Sequence, residues 1–232
     1  MPKPSLNLIG IFDVLYAQYG AQSWWPSDGS PFEICVGAIL TQGTSWKNVQ
    51  KALKDLKSRA LMSPANVASL SHLELASMIR SSGYFNQKAK KLKAFANHVV
   101  TRHAGKLESM FNQPTKQLRR ELLSIYGVGE ETADDIILYA ALQHTFVVDN
   151  YTRRILKRMQ MLPNPETYEN IRSMFLHALP RKVKVYQEFH ALFVQLAQHV
   201  CLKRRPLCLE CPLQRYCPTG SGEIGVTDHQ YS

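Results

Sequence analysis

Four cysteines lie close together near the C-terminal end of the chain, and such a concentration of thiols is typical of a metal centre. Their spacing is Cys-x6-Cys-x2-Cys-x5-Cys, and the residues are Cys201, Cys208, Cys211 and Cys217. Four thiolates can hold a cluster of four irons and four sulfides, or a single zinc ion. Zinc is commonly bound by two Cys-x2-Cys pairs, whereas only one such pair is present here. The spacing therefore disfavours a zinc ribbon.

A short glycine turn forms a second candidate site. Gly127, Val128 and Gly129 separate a helical pattern that ends near Ile125 from another that begins at Glu130. The two glycines permit a positive φ and a tight reversal of the chain. The turn should direct backbone N–H groups outward at the start of the second helix, where they can bind an anion. Ordinary helical hairpins contain similar turns, so this motif alone decides no function.

One aspartate stands out after the turn, twenty residues beyond Gly129. Asp149 follows Val147 and Val148 and precedes a helical pattern. A residue in this position is expected to cap the helix. Its carboxylate is also a candidate for catalysis.

The charge of the chain points to a polyanionic partner. The 232 residues include 28 Lys and Arg against 18 Asp and Glu, for a formal net charge of +10. Nucleic acid is the first candidate for such a partner, although a basic protein need not have one. No apolar stretch is long enough to span a membrane, and the N-terminal residues lack the pattern of a signal peptide. We therefore expect a cytoplasmic protein. The fifth cysteine, Cys35, lies in an apolar helical pattern and is expected to be a core residue.

The elements that must position these residues are helices, and no convincing strand pattern is present. A tail is expected over residues 218–232, which are polar and glycine-rich. Apolar spacings of three and four predict helices at 5–19, 32–40, 48–56, 65–70, 72–80, 87–103, 115–124, 130–142, 149–159, 166–178 and 182–199.

The glycine turn, the aspartate and the cysteine loop occur here in the order and spacing of the helix-hairpin-helix (HhH-GPD) superfamily of DNA glycosylases. The cysteine spacing resembles that of its endonuclease III family position for position. The resemblance implies a [4Fe-4S] cluster held by the four cysteines and a catalytic role for Asp149. It also implies an all-α, two-domain endonuclease III-like fold. The domains would be a six-helix domain at 23–143 and a cluster domain formed by 1–22 and 144–217.

The residue before Thr132 and Ala133 is informative within this family. Bifunctional members have a lysine there, which attacks the sugar, forms a Schiff base and nicks the strand. This chain has Glu131, whose carboxylate cannot form an imine. We therefore expect water to be the nucleophile and an intact abasic site to be the product.

Further segments resemble the Helicobacter-type 3-methyladenine DNA glycosylases, and they run from about residue 21 to 160. In that group the base stacks in an aromatic pocket, although the group lacks the cysteine cluster that this chain keeps. The implied residues of the base pocket are Trp24, Trp25, Pro26, Trp46 and Glu131. For DNA binding, the resemblance implies that Gln42 fills the vacated space and that Tyr84 wedges into the opposite strand. The hairpin residues Gly127, Val128, Gly129 and Thr132 are expected to contact a phosphate, and Lys88 and Arg153 are expected to supply positive charge.

These observations predict a monofunctional DNA glycosylase for alkylated purines that acts as a monomer on double-stranded DNA. We expect it in the bacterial cytoplasm, associated with the nucleoid. A cationic alkylated base stacks well on indole rings, which supports this substrate. Two alternatives stay open. One is an endonuclease III-like glycosylase and abasic-site lyase for oxidised pyrimidines. The other is a non-catalytic DNA-binding iron–sulfur protein.

Overall fold

A computed structural model describes residues 6–22 and 30–222, and within these ranges the chain is helical with no β-strand. The prediction of an all-α chain is confirmed for this part. None of its helices is both long and apolar enough to cross a membrane. The helices are α1 (Leu8–Tyr19), α2 (Pro31–Leu40), α3 (Trp46–Ser58), α4 (Pro64–Ser69), α5 (His72–Met78), α6 (Phe85–His103), α7 (Leu107–Phe111), α8 (Thr115–Leu123), α9 (Glu130–Asp135), α10 (Asn150–Arg158), α11 (Tyr168–Ala178) and α12 (Val183–His199).

The chain divides into two compact units. The hairpin unit contains the described residues of Trp25–Gln143. The cysteine-loop unit contains the described residues of Met1–Trp24 together with His144–Ser232.

The core of the hairpin unit is built around α2, whose residues are apolar on nearly every face. Eight of its ten residues are buried, which is the expected fate of a helix without a polar side. Helix α6 contributes buried residues such as Phe95, which stacks on Phe32 with ring centroids 6.4 Å apart. Val128, in the middle of the glycine turn, is 6% exposed and packs into the same core. The turn is therefore anchored to the unit that presents it.

Aromatic side chains fill the core of the cysteine-loop unit, where α12 packs against α1 and α10. Phe146 stacks on Phe175 with centroids 3.7 Å apart, and Phe189 meets Phe193 edge to face at 4.8 Å. Each aromatic ring buries a large apolar area. Phe146, which lies three residues before Asp149, is therefore firmly held.

Side-chain caps define several helix starts. Ser30, Ser63 and Thr167 each accept a hydrogen bond from a backbone N–H in the first turn of the following helix. Ser71 and Glu74 form a complete capping box at the start of α5. Such caps satisfy N–H groups that have no partner inside the helix.

Three details differ from the predicted elements. The helix expected at 130–142 changes from α9 to a π-helical turn at Ile136–Ala140, a form that periodicity cannot distinguish from an α-helix. Helix α7 was not predicted because five residues are too few to show a period. Residues 218–222, placed in the tail from the sequence, form turns, and the buried Thr219 donates to the carbonyl of Arg158 at 3.0 Å.

Candidate functional site

Asp149 is the N-cap of α10, and its geometry follows from its local sequence. Its Oδ1 accepts a hydrogen bond from the Thr152 N–H at 2.7 Å. The preceding Val147 and Val148 are buried, and the Val148 N–H donates to the Tyr168 hydroxyl at 3.3 Å. The side chain of Asp149 keeps 14% of its surface exposed. One carboxylate oxygen is thus used for capping, and the side chain as a whole is only partly accessible to solvent.

Besides Thr152, the Asp149 carboxylate has a second polar neighbour, His190 on α12. Its Nε2 lies 3.5 Å from Asp149 Oδ2, and the histidine is 5% exposed. Burial alone would raise the pKa of Asp149, but the hydrogen bond and charge of His190, together with Thr152, hold that pKa below its ordinary value. Asp149 is therefore a carboxylate at neutral pH. Sequence reasoning missed His190, whose only signal was a polar residue inside the apolar pattern of α12.

The glycine turn has the geometry expected of an anion site. Gly127 has a φ of +81°, in the left-handed region, and the Val128 N–H closes the turn on the Ile125 carbonyl at 3.1 Å. Gly129 is the N-cap of α9, and the Ala133 N–H makes the first helical bond to its carbonyl at 2.8 Å. The N–H groups before Ala133 have no partner within the helix and are suited to bind an anion.

Gln42 is bonded to this turn within the hairpin unit. Its Nε2 donates to the Gly127 carbonyl at 3.2 Å and to Thr132 Oγ1 at 2.9 Å. Its Oε1 accepts a hydrogen bond from Lys91 Nζ. The residue therefore connects the end of α2, the turn and α6. No sequence signal indicated this connection, because its members are far apart along the chain.

Two of the side chains predicted to bind DNA are buried in the structure. Lys88 is 2% exposed, and its ammonium donates to the carbonyls of Leu40 at 2.8 Å and Ser82 at 2.6 Å, so it holds backbone groups in place. The side chain of Thr132 is also buried, with its hydroxyl bonded by Gln42. Both positions were assigned from charge, polarity and resemblance, which do not report burial.

The remaining predicted residues are spread over both units. Tyr84 is 77% exposed and adopts a left-handed φ of 44° before α6. Glu131 is exposed in the first turn of α9, and Trp46 is half-buried against the core. Arg153 on α10 donates to the Glu166 carbonyl at 3.2 Å. The predicted pocket residues Trp24, Trp25 and Pro26 lie outside the described residues.

The structure brings the four predicted cysteines together around one pocket. All are free thiols, and the other lining residues include Arg158, Pro206 and Gly220. Burial and the charges of the neighbouring thiols raise the pKa of Cys211 to about 11. The thiols thus disfavour each other's ionisation. A bound cationic centre would have the opposite effect and would lower their pKa values. The donor set and its convergence fit a four-thiolate metal group.

Two arginines of α10, which sequence reasoning did not assign to this loop, hold the cysteines. Arg158 Nη1 lies 3.1 Å from Cys201 Sγ and donates to the Leu202 carbonyl at 2.8 Å. The buried Arg154 donates to the carbonyls of Cys201 and Ala197, each at 3.0 Å. Helix α10 therefore bears Asp149 at its start and binds the cysteine loop along its length.

Substituting Gly127 with alanine tests the turn. The new Cβ would lie 2.2 Å from Lys91 Cγ in a left-handed conformation, so the Lys91 side chain, which donates to Gln42, must shift. We expect Gly127→Ala to lower the free energy of unfolding in urea by about 2–3 kcal/mol. Gly129→Ala is the matched control, because no atom lies within 4 Å of its added Cβ, and it should cost less than about 1 kcal/mol. Equal losses in both variants would contradict the assigned geometry.

Comparison with known proteins gives consistent results. Residues 36–181 match the HhH-GPD superfamily of base excision DNA repair proteins. A protein of Methanocaldococcus jannaschii that is named as a DNA repair glycosylase is 40% identical over 209 residues, covering 89% of this chain and 94% of its own. The structure of Helicobacter pylori 3-methyladenine DNA glycosylase bound to 1,N6-ethenoadenine has a TM-score of 0.73 at 26% identity, covering 83% of this chain and 98% of its own. The structure of an endonuclease III trapped as a covalent intermediate with DNA has a TM-score of 0.80 at 20% identity. The match covers 94% of this chain and 99% of the endonuclease III chain. The predicted endonuclease III-like fold is confirmed.

Proposed function

Because this chain belongs to the HhH-GPD superfamily of base excision DNA repair proteins, we propose that it is a monofunctional DNA glycosylase for alkylated purines such as 3-methyladenine. Its relatives and structural neighbours are DNA glycosylases, and the chain is an enzyme of that class. The product of the proposed reaction is an unbroken DNA strand with an abasic site. The observation that carries the monofunctional proposal is Glu131, a carboxylate where bifunctional members have a lysine.

Asp149 is proposed as the catalytic residue. The bond between the sugar and a cationic purine breaks with its electron pair moving to the base, which leaves as a neutral molecule. Positive charge then develops on the sugar, and the ionised carboxylate stabilises it. Water adds to the sugar carbon and loses its proton, for which Asp149 is the candidate acceptor. His190 helps to keep the carboxylate charged before the reaction.

The hairpin unit is proposed to bind DNA through its backbone. N–H groups at the start of α9 would contact a phosphate, which fixes the position of the protein without reading sequence. Extruding the damaged nucleotide costs a few kcal/mol. We propose that the exposed ring of Tyr84 wedges into the opposite strand, and that Gln42 gives up its hydrogen bonds to Gly127 and Thr132 to fill the vacated space. Arg153 of the cysteine-loop unit is proposed to contribute positive charge.

Aromatic residues are proposed to select the base. The aromatic members of the proposed pocket are Trp24, Trp25 and Trp46, and Pro26 and Glu131 complete it. A cation over an indole face gains about 0.5–2 kcal/mol, which a neutral base does not. A nearby carboxylate such as Glu131 would add attraction to the same cation. Both contributions favour a cationic alkylpurine over an undamaged base.

Cys201, Cys208, Cys211 and Cys217 are proposed to hold a [4Fe-4S] cluster. Their convergence on one pocket supports this proposal, and Arg158 beside Cys201 offsets part of the negative charge of a thiolate cluster. When bound, the cluster cross-links the loop and so converts metal binding into folding energy. It takes no part in base release. The loop instead stabilises α10, and through it the position of Asp149.

Borohydride trapping tests the monofunctional proposal. Wild-type enzyme incubated with an alkylated duplex and borohydride should give no covalent protein–DNA adduct, because Glu131 cannot form an imine. The product strands should run at full length until they are heated in alkali. A bifunctional endonuclease III, assayed on its own substrate, provides the positive control. An adduct with this chain would instead support the alternative of a glycosylase and lyase.

The role of His190 can be tested through the pH dependence of turnover. His190→Phe removes both the hydrogen bond and the charge that lower the pKa of Asp149, so that pKa should rise. The acid limb of the rate profile should therefore move to higher pH. His190→Gln retains an N–H donor, so its Asp149 pKa should lie between those of the wild type and His190→Phe. A lower rate with an unchanged acid limb would show that His190 acts only in packing.

A further inference from the structure

The hairpin unit contains a cluster of two histidines and one glutamate that the proposed repair reaction does not use. His98 and His103 lie on α6, and Glu121 lies on α8. His98 Nε2 is 2.7 Å from Glu121 Oε1, and His103 Nε2 is 2.5 Å from the same oxygen. The three ligand atoms all lie within 4.8 Å of one another. Two imidazole nitrogens and one carboxylate oxygen thus converge on one small volume.

The surroundings of the cluster have the features of a metal site. Gln113 Nε2 donates to the other carboxylate oxygen, Glu121 Oε2, at 2.6 Å, and also to the Met110 carbonyl at 2.7 Å. Carboxylates that bind metals are commonly held by such an outer hydrogen bond. The three side chains are 14–19% exposed, which allows access for an ion and for a water ligand. The cluster is therefore preorganised without being sealed.

We propose that His98, His103 and Glu121 form a binding site for a divalent ion of the zinc class. Two neutral imidazoles and one carboxylate, completed by water, are a common ligand set for zinc. Magnesium and calcium prefer oxygen ligands and are not expected to bind. Bonds of about 2.0–2.2 Å to one tetrahedrally coordinated ion place the ligand atoms about 3.4 Å apart, so the two nitrogen–oxygen distances of 2.7 and 2.5 Å must lengthen. Side-chain rotations that move each nitrogen by less than about an ångström would supply this change.

A bound ion would connect α6 to α8, and α8 leads directly into the Gly127 turn. Its effect would be structural, since the ion restrains the first helix of the hairpin. The site is independent of base release, so its failure would leave the proposed function untouched. The competing explanation is a metal-free cluster in which Glu121 accepts two imidazole N–H groups.

Zinc titration of the full, cluster-loaded protein distinguishes the two explanations. After dialysis against EDTA, wild-type protein should take up one zinc ion in competition with a chromophoric chelator, and its unfolding temperature should rise by several degrees. Glu121→Gln and His103→Gln should bind zinc at least about tenfold more weakly. His177→Gln is the matched control, because His177 is an exposed histidine on α11 that bonds to Ser173, and it should behave as wild type. Magnesium should give no shift.

X-ray absorption at the zinc edge of the wild-type protein gives a result that does not depend on how the variants fold. The proposal predicts nitrogen and oxygen ligands only, with the scattering pattern of imidazole. Sulfur ligands would place the ion in the cysteine loop and overturn the proposal. The absence of zinc uptake by the wild type, or equal uptake by Glu121→Gln, would also overturn it and favour the metal-free cluster.

Discussion

Asp149→Asn should lower the single-turnover rate of base release from alkylated DNA by about a hundred- to ten-thousand-fold, with little change in DNA affinity. The substitution removes the negative charge that stabilises the developing cation on the sugar. It preserves the helix start, because asparagine caps as well as aspartate and can accept the Thr152 N–H. Rates under enzyme excess and fluorescence anisotropy with a labelled duplex measure the two properties separately.

The matched control is Asp55→Asn, which makes the same change of charge at an exposed residue on α3. It should retain the wild-type rate within about twofold, since exposed surface charges are screened by salt. If Asp149→Asn released bases as fast as Asp55→Asn while both bound DNA, Asp149 would have no catalytic role. That outcome would favour another residue as the catalyst.

Cys211→Ala is expected to produce the second large effect, on stability and on colour. Loss of one thiolate should prevent assembly of the cluster and remove several kcal/mol of folding free energy from the cysteine-loop unit. Arg158 and Arg154 would lose the ordered backbone that they bind, so α10 and its capping Asp149 should be less well positioned. Activity should therefore fall together with the unfolding temperature.

Cys35→Ala provides the control for this prediction, because Cys35 is fully buried in the core of the hairpin unit and is not one of the four cysteines that line the pocket. It should keep the yellow-brown colour and the broad absorbance near roughly 400 nm of a cysteine-held iron–sulfur cluster. Iron and sulfide analysis measures the cluster directly. Colourless wild-type protein that contains zinc in the cysteine loop would contradict the assignment of a [4Fe-4S] cluster.

Local features of the fold could be predicted because the physical rules behind them act over a few residues. Asp149 precedes an apolar pattern at a position that calls for a cap, and the structure shows this cap. Gly127 had to allow a tight reversal, and it has a positive φ. Helix positions follow from apolar spacing, which reports how a segment faces a core regardless of what it meets there.

Contacts between distant residues could not be predicted, since no periodic signal encodes them. Lys88 was assigned to the surface from its charge, yet its long side chain reaches carbonyls at the end of α2 and near α6. His190 lies 41 residues beyond Asp149 on another helix, and only the packing of α12 on α10 brings them together. The pairing of Arg158 with the cysteine loop has the same origin.

Chromatography of the free bases released from methylated DNA is the most direct test of the proposed activity. Wild-type protein should release 3-methyladenine and leave unbroken abasic strands, whereas Asp149→Asn protein at the same concentration should release almost none. Release of oxidised pyrimidines from oxidised DNA, with no methylated purine from methylated DNA, would contradict the proposed substrate. Equal release by both proteins would contradict the catalytic role of the carboxylate.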